Sequence, residues 1–369
     1  MNETIVDGGA VRLRPWAERD VEEVSRACGD PEIARYLPLL PSPYTAGDAR
    51  WWITTGAPAA WQADGAAWAV VDPATDRVLG GAGMSHVVAG RGQAEVGYWV
   101  APWARRQGVA TAAARAVAGW AFRERGLVRL ELLTAATNEA SQRVALAAGF
   151  TREGVRRGAG TDRFGERVDL TAFVRLAADS GDRVAPGLPD FPGGQLTDGN
   201  ATIRPITVAD ADDLLALHAL PEVAKTNLGP RGTAEFMRLR CESTGADWLA
   251  GARANCVILD AATGAFAGDI GLFYQEPFTR QALIGYGLRP EFRGRGLATS
   301  AARLISDWAL EHAGVIRVCA GTFPYNEASR AVLRRAGFEQ EAYMKAKLPG
   351  PDGTRIDDIQ FVRIAERFR

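Results

Sequence analysis

Apolar positions along this chain fall into two rhythms: alternation at every second residue, which predicts strands, and spacing of three and four, which predicts helices. Val11 to Arg14 reads as a first strand, and the acidic stretch Ala17-Glu18-Arg19-Asp20 then opens a helix. Trp68 to Val71 and Val78 to Met84 predict a hairpin across the turn Asp72 to Asp76. The run Ala94-Glu95-Val96-Gly97-Tyr98-Trp99-Val100 predicts a strand that stops at Pro102. Val109, Ala113, Ala116, Val117, Trp120 and Ala121 then recur at helical spacing and end near Gly126. Val128 to Leu133 reads as a buried strand and Asn138 to Ala148 as a helix leaving through Gly149-Phe150. A last hairpin turns at Phe164-Gly165 and closes with Leu170 to Leu176.

The same order returns. Val11 to Pro15 matches Ala201 to Pro205, and Pro31 to Arg35 matches Pro221 to Lys225, both shifted by 190 residues; from Asp72 and Asp260 onward the shift is 188. The second copy predicts a helix over Leu214 to Leu220, strands over Cys256 to Asp260 and Phe266 to Phe273, and a strand over Leu283 to Leu288. Leu297, Ala301, Leu304, Ile305 and Trp308 form its helical stripe. Ile316 to Ala320 is a strand, and Asn326 to Arg335 a helix leaving through Gly337-Phe338. Between the copies, Pro186 to Gly194 is dense in Pro and Gly, so the division expected is a domain over 1–178, a linker over 179–199 and a domain over 200–369.

Composition narrows this picture. With 369 residues, 47% of them hydrophobic, the chain can build two ordinary cores. A formal charge of −1 gives no global electrostatic case for nucleic acid or an anionic membrane as partner. Met1 to Asp7 carries acid and lacks a basic leader, and no apolar run is long enough to span a bilayer, so a cytoplasmic location is expected. Cys28, Cys241, Cys256 and Cys319 are scattered and read as buried spectator thiols; no His or Cys pair has ligand spacing, so no metal is expected.

Candidate chemistry gathers where the repeated strand meets the repeated helix. Arg105-Arg106-Gln107-Gly108-Val109-Ala110 and Arg293-Gly294-Arg295-Gly296-Leu297-Ala298 share an Arg-x-x-Gly-x-Ala pattern. A helix N-terminus offers free N–H groups and the positive end of its dipole, glycine admits an anion, and arginines add fixed charge. A pyrophosphate fits there. Neither a Walker loop nor the dinucleotide fingerprint is present. Asn138 and Ser141, with Asn326 and Ser329, read either as helix caps or as a hydroxyl site. The aromatics Tyr36, Tyr44, Trp51, Trp52 and Trp61 read either as a pocket wall or as core.

These motifs together, with the Arg-Pro near each start, Asp30 to Pro38, and Gly97-Tyr98-Trp99-Val100, resemble the GNAT superfamily of acyl-CoA-dependent N-acyltransferases, and within it the ribosomal-protein alanine N-acetyltransferases. The resemblance implies two tandem α/β (α+β) folds. Each would be a mixed, mostly antiparallel sheet with helices on both faces and central strands that splay to admit the pantetheine arm of coenzyme A. By the same resemblance, Val100 and Leu288 would hold that arm through backbone groups, the two loops would cradle the pyrophosphate, Asn138 and Asn326 would line the cofactor site, and Ser141 and Ser329 would face the sulfur. The Tyr that many members place seven residues after the Asn is absent: Ala145 and Leu333 stand there.

Amine attack on a thioester also needs a proton acceptor. Glu95 reads either as that carboxylate or as a solvated strand end, and its counterpart is Leu283. Asp269, Glu276 and His86 are weaker alternatives, while His218 and His312 read as surface residues. The function expected is acetyl transfer from acetyl-CoA to a primary amine on a small molecule or peptide. The alternatives are a longer acyl-CoA or an acyl carrier protein as donor, and one domain acting as a non-catalytic binding or structural module. Glu95 and the aromatic stretch favour the N-terminal domain as the principal catalyst.

Overall fold

Strand pairing sorts the chain into two separate eight-stranded sheets. The structure is a computed structural model, and it describes residues 4–225, 232–276, 278–350 and 353–368. Contacts divide the chain into one unit over Met1–Ala185 and another over Pro186–Arg369.

The first unit holds β1 (Val6–Asp7), β2 (Arg12–Arg14), β3 (Ala66–Val71), β4 (Val78–Val88), β5 (Gln93–Val100), β6 (Arg129–Ala135), β7 (Thr151–Thr161) and β8 (Arg167–Leu176). Their order is β1-β2-β3-β4-β5-β6-β8-β7, and every pair is antiparallel except β5 with β6. Helices α1 (Val21–Cys28), α2 (Pro31–Tyr36), α3 (Ala46–Trp51) and α4 (Ala57–Gln62) fall between β2 and β3. Helix α5 (Val109–Arg125) follows β5, and α6 (Glu139–Ala147) follows β6. Val21, Val24 and Cys28 of α1 pack with Ala49 of α3 and with Trp99 of β5, so these helices cover one face. Tyr98, the next residue along β5, points to the other face and meets α6. The shared Arg-Pro has a local cause: Arg14 is buried and pairs with Asp20 at 2.8 Å, pinning the start of α1 to the sheet.

The second unit repeats this with β9 (Leu196–Thr197), β10 (Ala201–Pro205), β11 (Arg253–Asp260), β12 (Phe266–Glu276), β13 (Gln281–Leu288), β14 (Arg317–Thr322), β15 (Glu339–Pro349) and β16 (Arg355–Ile364), in the order β15-β16-β14-β13-β12-β11-β10-β9. Its helices are α7 (Ala211–Ala219), α8 (Pro221–Ala224), α9 (Ala234–Leu249), α10 (Leu297–Glu311) and α11 (Glu327–Arg335). Leu214 of α7 and Met237 and Cys241 of α9 pack with Val257, while Leu297, Ala301 and Ile305 of α10 enter the main core. Arg204, here part-exposed, pairs with the buried Asp210 at 2.7 Å in the same way.

The stretch expected as a linker does more than connect. Leu188 and Phe191 are buried in the second unit's core, and the Phe191 ring stands edge-on to Trp248 and Trp308, 4.9 Å from each. A Cβ at Gly187 would fall 2.3 Å from the Gly251 nitrogen, so only glycine permits that approach. Two apolar anchors spaced by prolines carry no periodicity, which is why composition alone reads them as loop.

Candidate active site

The two central strands part at the same place in both units. Strand β5 pairs with β6 through Gln93↔Arg129, Ala94↔Leu130 and Glu95↔Glu131 and then leaves it, although β5 continues to Val100 and β6 to Ala135. Strand β13 pairs with β14 through Gln281↔Arg317, Ala282↔Val318 and Leu283↔Cys319 and leaves it likewise. From Val96 to Val100, and from Ile284 to Leu288, one edge of the backbone is released from its ladder neighbour and available to a ligand. This is the splay expected.

The opening leads to a helix end. Gly108 (φ 77°) and Gly296 (φ 79°) begin α5 and α10 in the left-handed region, and no side chain caps either helix. A Cβ built at Gly108 would meet nothing within 4 Å; at Gly296 the nearest atom is Asn200 Nδ2 at 3.3 Å. Val109, Leu297 and Ala298 are buried, so their side chains belong to the core and only their backbone groups are left to a ligand at the helix end. Arg106 (φ 62°) and Gly294 (φ 75°) occupy equivalent left-handed positions. Arg105 bonds the Asp30 carboxylate at 2.6 Å; burial alone would raise that carboxyl's pKa, but the Arg105 bond and charge and two backbone N–H groups outweigh it and hold it below its ordinary value. Gln107 donates to the Trp103 carbonyl at 3.0 Å. Arg293 lies 3.7 Å from Glu222 and donates to the Leu288 carbonyl at 3.2 Å, and Arg295 pairs with the buried Asp260. Val100 ends β5 opposite Gly80, and Leu288 ends β13 opposite Gly268.

Across the splay, Asn138 Oδ1 accepts from the Ser141 N–H and Asn326 Oδ1 from the Ser329 N–H, both at 3.1 Å, so each Asn is a helix cap. Both serine hydroxyls are held by a residue missing from the expected set. Tyr98 Oη lies 2.9 Å from Ser141 Oγ and 3.2 Å from its carbonyl; Tyr286 Oη lies 2.9 Å and 3.3 Å from the same atoms of Ser329. Burial pushes the Tyr98 phenol above its usual range and Tyr286 up to about 12, so each keeps its proton. The signal was present in sequence: both tyrosines sit at the 188-residue shift, in strands where every other aromatic differs.

Glu95 stands at the last paired position before the parting, half-buried, with its Oε2 3.3 Å from His86 Nδ1. Burial raises its pKa, Glu131 beside it raises it further, and His86 and Arg156 oppose. A raised carboxylate suits a proton acceptor. Leu283 offers no such group, and the side chain of Glu276 lies outside the described residues. His218 is not a surface residue as expected: it lies one turn from Leu214 on the inward side of α7, and its Nε2 is 2.9 Å from Asp269 Oδ2. His312 is exposed. Of the aromatic stretch, Trp61 belongs to the core, edge-on to Trp68 at 4.9 Å, while Tyr36 Oη reaches within 3.5 Å of the Thr137 carbonyl beside the splay.

All four cysteines are buried and free. Among the described residues no cluster could hold a metal, and no helix is long and apolar enough to cross a membrane.

Comparison with known proteins places this geometry. Over 78 residues, 21% of this chain and 43% of the relative, the chain is 38% identical to a Bacillus subtilis protein named "Putative ribosomal N-acetyltransferase YdaF", so it aligns with less than half of that relative's length. It is 29% identical over 145 residues, 38% of this chain and 80% of the relative, to "Probable N-acetyltransferase YjcK" of the same organism. The solved structure of Mycobacterium smegmatis RimJ in complex with CoA-disulfide matches with 24% identity and a TM-score of 0.43, over 50% of this chain and 91% of that one. The acetyltransferase (GNAT) domain matches residues 10–151 and again 200–339, and the chain therefore belongs to the GNAT acetyltransferase family, as two tandem domains of an acyltransferase.

Proposed function

We propose that this acyltransferase binds acetyl-CoA in both units and transfers the acetyl group to a primary amine by direct attack, with no covalent enzyme intermediate. The observation that carries the reading is the parting of the central strands at one register in both units, opening onto a glycine-led helix end that no side chain caps. The residues fit the donor: the Gly108 corner is open, and free N–H groups with arginines suit a pyrophosphate.

Bound acetyl-CoA supplies its acetyl group as a thioester. Val100 and Leu288 offer backbone groups to the pantetheine arm, and Arg105 to Ala110 and Arg293 to Ala298 hold the phosphates. Glu95, directly or through water, takes a proton from the amine in the first unit. As nitrogen bonds the carbonyl carbon and the C–S bond breaks, the Tyr98–Ser141 and Tyr286–Ser329 pairs donate hydrogen bonds to the developing thiolate. The proton lost by the amine ends on the released thiol, so the transfer balances.

Those hydroxyls stabilise charge rather than surrender a proton. A thiol ordinarily titrates near about 8.5, and the buried phenols lie well above that. The acceptor is an amine of a small molecule or a peptide, the latter supported by the ribosomal substrate in YdaF's name. Calorimetry should find two acetyl-CoA sites per chain, Gly108→Asp and Gly296→Asp should each remove one, and an amine panel should release thiol. Zero sites would end the reading.

A further inference from the structure

The two units differ on the strand face opposite the tyrosine. In the first, Trp99 of β5 stacks on Trp16 at 6.2 Å and lies over Gly81, where a Cβ would fall 2.5 Å from the Trp99 Nε1. In the second, the positions at the same 188-residue shift are exchanged: glycine, Gly287, stands for Trp99, and Asp269 stands for Gly81. Asp269 and Gly287 face each other in the β12–β13 register. A large apolar wall has become a bare strand beside a buried carboxylate.

That carboxylate is held in one orientation. Its Oδ2 receives His218 Nε2 at 2.9 Å and Arg240 Nη2 at 3.2 Å. Arg240 Nη1 also lies 3.4 Å from His218 Nε2, but an ionised carboxylate only accepts, so the shorter contact assigns the Nε2 proton to the Asp269 bond. Burial alone would raise the Asp269 pKa; the His218 hydrogen bond and the Arg240 charge outweigh it and hold the group below its ordinary value. Asp269 is therefore a fixed anion and a weak base.

Its second oxygen has another role. Asp269 is 6% exposed, both donors use Oδ2, and among the described residues Oδ1 accepts no hydrogen bond. Oδ1 lies 3.4 Å from where a Gly287 Cβ would be, beside Val223 Cγ1 at 3.6 Å. Two residues back on the same face, Gly285 is exposed, and a Cβ there would meet nothing within 4 Å. An oriented, ionised oxygen thus sits at Gly287, and two residues along the same face, about 7 Å at roughly 3.4 Å per residue, the strand floor is open at Gly285. Tyr286, which carries the hydroxyl pair, lies between those glycines with its side chain on the opposite face.

We infer that the second unit takes an acceptor bearing a positive charge in addition to the amine that reacts, and that Asp269 Oδ1 anchors that charge. This rests on the transferase reading above. The first unit, with Trp99 and Trp16 at the same place, takes an acceptor whose flank is apolar. Asp269 is a specificity-determining residue, and Gly287 is what leaves it accessible.

The test compares putrescine with n-pentylamine, which replaces one ammonium by a methyl group, in the full chain carrying Gly108→Asp so that only the second unit turns over. Thiol release should favour putrescine by about tenfold or more in kcat/KM. Asp269→Asn should bring the ratio near one through KM, with kcat little changed. Gly287→Ala keeps the His218 and Arg240 bonds, sets a methyl group against Oδ1, and should do the same, which covers the case in which the Asn variant misfolds. Putrescine binding by calorimetry without acetyl-CoA reads the anchor independently of turnover. Equal use of both amines, or a preference that survives both substitutions, overturns the inference and leaves the transferase reading intact. Putrescine binding that Asp269→Asn abolishes supports the anchor even if no amine releases thiol, and in that case only the transferase reading falls.

Discussion

Removing the Tyr98 hydroxyl tests the site where sequence reasoning was thinnest. In a chain carrying Gly296→Asp, so that the first unit alone reports, Tyr98→Phe deletes contacts of 2.9 Å and 3.2 Å to Ser141 and leaves the ring in place. If the phenol only braces α6, the cost is one intramolecular hydrogen bond, about 1 kcal/mol of stability, with turnover unchanged. If it supports a donor to the developing thiolate, kcat should fall by about 10² to 10³, or roughly 2.7 to 4 kcal/mol of transition-state stabilisation. The two readings differ by more than any plausible error in either. Ser141→Ala should cost about the same, and because the two hydroxyls act as a unit, the double variant should cost little more than either single one. Acetyl-CoA affinity by calorimetry should hold throughout, since the charge appears only during reaction. Because Tyr286 is pushed up to about 12, kcat of the second unit should show no phenol titration between about pH 8 and 10. Additive losses, or lost affinity with turnover intact, would refute the proposed role.

Further outcomes can be checked separately. Gly108→Asp and Gly296→Asp should each remove one of two acetyl-CoA sites in a titration, by setting an acidic side chain against the helix N-terminus. Glu95→Gln should lower first-unit turnover and flatten a pH–rate limb; because burial and Glu131 raise the Glu95 pKa and the active form is the carboxylate, that limb should rise with pH at a midpoint above the ordinary glutamate value. Phe191→Ala should destabilise the second unit by about 3 to 5 kcal/mol in denaturant melts while the first unit's transition stays in place.

What could be read from the chain followed from local physics. The strand stopped by Pro102, the helix opened by Gly108 and the Asn caps at 138 and 326 depend on a few adjacent residues, and all appear where periodicity and turn chemistry put them. Tyr98 was harder because its partner is 43 residues away, and a strand aromatic says nothing about what its hydroxyl meets. His218 was misread for the same reason: its helix pattern is ordinary, and only the folded sheet brings Asp269, 51 residues on, beneath it. Within the expected linker 179–199, Leu188 and Phe191 fill the second unit's core, a role composition does not reveal because two apolar anchors among prolines give no period.

Which unit does more of the work turns on the amine's proton. A lysine-like amine titrates near about 10.4, so about 0.04% of it is neutral at pH 7, and that fraction rises about tenfold per pH unit. A unit with a carboxylate at the parting of its strands can accept the ammonium and draw its proton off, directly or through water, before the freed amine attacks; a unit with Leu283 there depends on amine that arrives neutral. Asp269 is a poor substitute, because His218 and Arg240 hold its pKa down where burial and Glu131 hold that of Glu95 up. The Gly296→Asp chain, working through the first unit, should therefore outpace the Gly108→Asp chain near neutrality. The gap should narrow as pH rises from 7 toward 9, where the neutral fraction grows about a hundredfold. Initial rates of thiol release with one monoamine across that range decide it. A rate ratio that stays flat with pH, or a second unit that is faster at pH 7, would show that Glu95 is not what separates the two.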